Sequence, residues 1–135
     1  YETMKLSFSC SSPGKARWKQ LSQQHCGYCV PCLIRRAAMH KAFGDDGTVY
    51  TETSIYEMQN KNAEGMGIQL RSFQYAIDKI KQDRNRALFY IHKPGPLPQD
   101  DEYLRELADT YIRGLLEVDA FIQDNLAQED ENNDL

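Results

Sequence analysis

The 135-residue chain has room for one modest core, and its 41% hydrophobic and 27% charged residues are the balance of a folded chain, not a disordered one. No run of about 18 apolar residues occurs, and the opening YETMKLSFSC lacks the basic, apolar and small-residue order of a secretory signal, so the expected compartment is the cytoplasm. The net charge of −4 hides two unlike ends: residues 1–44 carry seven Lys/Arg against the single acid Glu2, giving +6, while residues 45–135 carry nine against nineteen, giving −10.

A start at Tyr1 leads us to expect a piece of a longer protein. The basic end suits a nucleic acid, a phosphate-bearing substrate or an acidic protein surface, and equally the acidic helices of the same chain.

All four cysteines lie in this first third, as Cys10-x15-Cys26-x2-Cys29-x2-Cys32. Two-residue spacing gathers neighbouring sulfurs into one small volume, as a tetrahedral metal site requires. Disulfides are the poorer reading, because cytosolic thiols stay reduced and no thioredoxin-like pattern surrounds Cys29 and Cys32. Gly27 can take the positive φ that lets backbone N–H groups reach a thiolate. Pro31 suits the start of a helix, which would place Cys32 in a first turn whose dipole favours the thiolate. Lys15, Arg17, Lys19, Arg35 and Arg36 are near enough in sequence to offset the −2 charge of four thiolates on a divalent ion, and Arg35, three residues after Cys32, shares its face.

A closed four-sulfur shell is the usual structural zinc site, with no position left for a reacting water. An iron–sulfur cluster is the competing reading, although its lone cysteine precedes the cluster here and no Cys-Pro follows. His25 is read as a neighbour of the site, not as a ligand. Trp18 is read as core.

The next pattern is Leu33, Ile34, Ala37, Ala38 and Phe43, which reads as a helix from Pro31 ending at Gly44. Asp45-Asp46-Gly47 is a turn, followed by an ambiguous stretch 48–66 with a short strand at Thr48–Thr51 and a loop closing at Gly65-Met66-Gly67. Residues 68–83 form an amphipathic helix with Ile68, Phe73, Ala76, Ile77 and Ile80 inside. Residues 84–92, RNRALFYIH, extend that helix or form a strand, and prolines 94, 96 and 98 end it. Asp100 caps the longest helix, whose stripe runs from Tyr103 through Leu107, Tyr111, Leu115 and Val118 to Ile122. QEDENNDL reads as an acidic, disordered tail.

The expected fold is therefore mainly α, a small zinc-stapled helical unit. It divides into a four-cysteine segment with its helix (1–44), a helical extension (45–126) and the tail (127–135). No phosphate-cradling loop, nucleophile elbow, two-histidine motif or carboxylate pair is present, so no catalytic residue is assigned.

The string HCGYCVPCLIRRAAM, with Cys10 upstream, resembles the C-terminal signature of the QueC family, the 7-cyano-7-deazaguanine synthases, at Cys10, Cys26, Gly27, Cys29, Cys32 and Arg35. The likeness covers roughly residues 5–43. It implies that the four cysteines hold a structural zinc, and that the chain is the C-terminal part of a larger α/β protein of the adenine-nucleotide alpha-hydrolase type. ATP would then be bound by a Ser-Gly-Gly-x-Asp-Ser loop that this chain lacks. More than ninety residues follow the cysteines here, a departure that resembles longer QueC-like proteins of antiphage defence clusters, where the added helices would dock a protein partner. The alternative is an independent zinc module that binds nucleic acid or protein through Lys15, Arg17, Lys19, Arg35 and Arg36, with Trp18, Tyr28 or Phe8 to stack on bases.

Overall fold

The computed structural model describes residues 2–44, 46–60 and 65–133, with side chains through residue 129. Its elements in order are α1 (Glu2–Leu6), a 3-10 helix (Pro13–Lys19), α2 (Val30–Phe43), α3 (Ile55–Asn60), α4 (Met66–Gln82), α5 (Arg86–Tyr90) and α6 (Asp101–Asn133). The fold is mainly helical, as the apolar periodicities predict. Extended pairing among the described residues is confined to one parallel bridge between His25 and Tyr50.

Local chemistry sets the ends of the long helices. Cys29, in extended conformation, is the N-cap of α2, and Pro31 occupies its first turn, where a missing N–H costs no hydrogen bond. Gly44 closes α2 at φ 72°, and its N–H donates to the His40 carbonyl. The Asp100 carboxylate accepts from the N–H groups of Glu102 and Tyr103 at 3.0 and 3.1 Å, which starts α6.

α6 is about 50 Å long at 1.5 Å per residue and touches α2, α3, α4 and α5. Its Ala108, Ile112, Leu115, Val118, Phe121 and Ile122 are buried in one cluster with Leu33 and Ala37 of α2, Ile55 and Met58 of α3, and Leu70, Ile77 and Ile80 of α4. Cys26, Tyr28, Cys29 and Cys32 belong to the same cluster, so residues 1–44 and 45–126 share one core.

Several expectations change in the folded chain. On α4 the buried side chains are Leu70, Ile77 and Ile80, while Ile68 points outward. On α2 Ile34 and Phe43 are exposed and Arg36 is buried in their stead. Residues 84–92 are neither a strand nor a continuation of α4. Asp83 turns extended and its carboxylate accepts from Asn85 N–H, so the chain restarts as the single turn α5.

The expected strand Thr48–Thr51 is reduced to the one bridge, because the segment lies along the cysteine loop for only two residues before turning into α3. Residues 127–133 continue α6 where composition suggests a disordered tail. A physical reason is visible at Glu129, whose carboxylate accepts from Ser54 Oγ and Tyr56 N–H and ties this end of α6 to the start of α3. Asp45 of the expected turn and the last two residues of the expected tail lie outside the described residues. Trp18, expected in the core, is 89% exposed on the 3-10 helix. Among the described residues no helix is long and apolar enough to cross a membrane.

Candidate metal centre

Three of the four sulfurs come from one short path. Cys26 and Cys29 flank a tight loop, Cys29 is the N-cap of α2, and Cys32 lies in that helix's first turn. Cys10 arrives from the segment after α1. All four Sγ atoms lie within 4.8 Å of one another, with Cys26–Cys32 at 3.9 Å and Cys29–Cys10 at 4.0 Å. A tetrahedral ion with metal–sulfur bonds of about 2.3 Å needs sulfur–sulfur edges of about 3.8 Å, so the set needs only a slight contraction to close on zinc. The cysteines are free thiols, too far apart for the S–S bond of about 2.05 Å.

The loop places backbone donors where thiolates need them. Cys29 N–H points at Cys26 Sγ, and both Ser12 N–H and Cys26 N–H point at Cys10 Sγ, each with 3.3 Å between nitrogen and sulfur. Gly27 makes this turn possible with φ 90°, as its sequence position suggests. As free thiols the sulfurs are electrically uneven. The hydrogen bond from Cys32 holds Cys26 down to about 5, and the same bond, followed by burial, pushes Cys32 up. Burial pushes Cys10 up as well. A metal ion held by this set would require all four sulfurs as thiolates, so its binding would release the protons that remain.

The surrounding charges differ from the sequence expectation. Arg35 turns away from Cys32: it donates to Ser7 Oγ at 2.7 Å, to the Met4 carbonyl and to Thr48 Oγ1. Lys19 pairs with Glu52. Lys15 lies over the Tyr28 ring at 4.9 Å, and the Tyr28 hydroxyl first, then the fields of Cys26 and Cys29, push its ammonium above the ordinary value. Arg36 reaches the loop from behind, donating to the Gly27 carbonyl at 3.1 Å. Arg17 stays on the outer 3-10 helix beside Trp18.

His25 is buried between the Phe8 and Tyr50 rings, with Nδ1 3.8 Å from Cys32 Sγ, and stands outside the four-sulfur set. Burial, with Arg35 nearby, lowers its pKa and favours the neutral ring.

A second strap was not legible in the sequence. Thr51 N–H donates to the His25 carbonyl at 2.8 Å and Glu52 N–H to the Cys26 carbonyl at 3.1 Å, so residues 50–53 lie across the cysteine loop. The start of α3 just beyond did carry a signal. Ser54-Ile-Tyr-Glu57 has capping-box spacing, and Ser54 Oγ accepts from Glu57 N–H at 3.0 Å.

Fold and sulfur geometry together define a mainly helical chain whose four cysteines are placed to hold a metal ion. No family model, curated protein or solved structure matches it.

Proposed function

We propose that the four cysteines hold one structural zinc ion and that this chain is the non-catalytic, zinc-stapled portion of a QueC-like protein. The observation that carries the zinc is the closed donor set of four sulfurs, against which His25 Nδ1 lies 3.8 Å from Cys32 Sγ as a neighbour of a ligand. Such a shell leaves no place for substrate, so the ion organises the fold. The signature at Cys10, Cys26, Gly27, Cys29, Cys32 and Arg35 supports the kinship. Nucleotide chemistry would then belong to a Ser-Gly-Gly-x-Asp-Ser loop elsewhere in the parent, with α3 to α6 as the added helical part that meets a partner in a defence-linked relative.

Elemental analysis with cobalt exchange tests the metal: one zinc per colourless chain and a tetrahedral thiolate spectrum with cobalt are expected, whereas a brown protein carrying iron would overturn it. The coding sequence ahead of Tyr1 tests the kinship. An in-frame phosphate loop supports it, and an open reading frame without one dismisses it.

A second reading is favoured by one observation, the 89% exposure of Trp18 beside Arg17 over a shallow cleft of about 350 Å³. An indole and a guanidinium so placed suit stacking on single-stranded nucleic acid. With Lys19 paired, Arg35 tied inward and Arg36 buried, only Lys15 and Arg17 remain from the five expected cations. Two phosphate contacts predict a log–log salt slope of about −1.4 for an oligonucleotide, and a salt-independent or absent quenching of Trp18 would reject this reading.

A further inference from the structure

Away from the sulfurs, a polar cleft of about 240 Å³ opens between α2, residues 46–53 and the last turns of α6. In its wall lies Arg36, only 6% exposed. No carboxylate forms an ion pair with this guanidinium among the described residues. Two of its N–H groups donate to the Gly27 and Thr53 carbonyls, and its faces meet the rings of Phe121 at 4.8 Å and Tyr50 at 5.4 Å.

A buried cation whose direct hydrogen bonds go to neutral carbonyls is a costly arrangement, eased only from a distance by the charges of Asp46, Cys32 and Glu129, and an anion brought into the cleft would offset the remaining cost. The nearer carboxylates are already engaged: Asp46 accepts from Tyr50 OH and Thr48 N–H, Asp124 from His40 Nε2 at 2.9 Å, and Glu129 from Ser54 and Tyr56. They leave Arg36 unpaired but make the surroundings hostile to a second negative charge.

We propose that this cleft binds a small monocarboxylate-bearing molecule, with its carboxylate on the Arg36 guanidinium. A planar carboxylate matches the guanidinium fork. A dianionic phosphate would meet the fields of Asp46 and Asp124. Asn125 lines the α6 side of the cleft, where its side-chain amide donates to the Phe121 carbonyl at 2.8 Å. The inference does not depend on which metal the sulfurs hold.

The test is a titration of the intact, metal-loaded chain with acetate, propionate and inorganic phosphate, read on the Arg36 Nε–Hε and Tyr50 amide signals by NMR. Saturable shifts with the two carboxylates and none with phosphate are expected. Asn125→Asp, which adds a negative charge without touching the cysteine loop, should weaken carboxylate binding at least ten-fold while metal content stays unchanged. Arg36→Lys, which keeps the charge and loses the fork, should weaken it similarly. Non-saturating shifts, tighter binding of phosphate than of carboxylate, or an Asn125→Asp protein that binds as well as the parent would each overturn the assignment.

Discussion

The carbonyl oxygen of Glu52 lies 1.9 Å from where a Cβ on Gly27 would stand. The glycine is therefore required twice, by its φ of 90° and by the backbone strap that crosses it. Gly27→Ala should cost at least about 1–3 kcal/mol from the backbone conformation alone, with more from the overlap. Its melting temperature should fall, and a metal ion held by the four sulfurs should leave to a chelator faster. Gly14→Ala, which meets nothing within 4 Å, is the matched control and should leave both unchanged. Equal behaviour of the two variants would show that the strap does not press on the loop.

Metal removal should reach beyond the loop. Cys26, Cys29 and Cys32 are part of the core that contains Leu33 and Leu115, so the ion and the helices are expected to melt together. Structural zinc in small peptides binds with about 10–16 kcal/mol, comparable with a domain's whole stability. Cys29→Ser, or chelation of the parent, should abolish cooperative unfolding by circular dichroism. A zinc-free variant with unchanged melting would contradict the structural role.

Trp18 offers a contrast between exposure and burial. Trp18→Ala should change stability by no more than about 0.5 kcal/mol, since the indole is 89% exposed. Ile122→Ala, at a side chain 1% exposed, should cost about 2–5 kcal/mol in denaturant unfolding. As the single tryptophan, Trp18 should also show the red-shifted emission of an indole in water, and blue-shifted emission would place it inside.

Glu129 joins the end of α6 to the start of α3 through bonds of 3.2 Å from Ser54 Oγ and 3.0 Å from Tyr56 N–H. Glu129→Ala should lower stability by about 1 kcal/mol and speed amide exchange at Tyr56 and Glu57. Exchange rates unchanged at those amides would mean that α3 is held by Ile55 and Met58 packing alone.

Several features were legible before folding because they depend on neighbours in the chain. Gly44 after α2, Asp100 before α6 and the 3.6-residue stripe of α6 act over one or two helical turns. The cysteine spacing likewise carries its own geometry, since Cys26, Cys29 and Cys32 sit on one loop and one helical turn.

Other features depend on what a side chain meets across the fold. Ile34, Ile68 and Trp18 are apolar like Leu33 and Leu70, yet only the latter pair is fully buried in the core cluster. Arg35 and Arg36 are adjacent and identical in chemistry. One is held among Met4, Ser7 and Thr48 and the other is buried against Gly27 and Thr53.

By itself, then, the amino-acid order determined helices α2, α4 and α6, the caps at Gly44 and Asp100 and the close spacing of Cys26, Cys29 and Cys32, because each arises from residues a few positions apart. Tertiary structure alone decided which face of each helix is buried, what lies over Gly27 and where Arg36 is enclosed, because those outcomes rest on contacts between segments tens of residues apart, competing for the same limited interior.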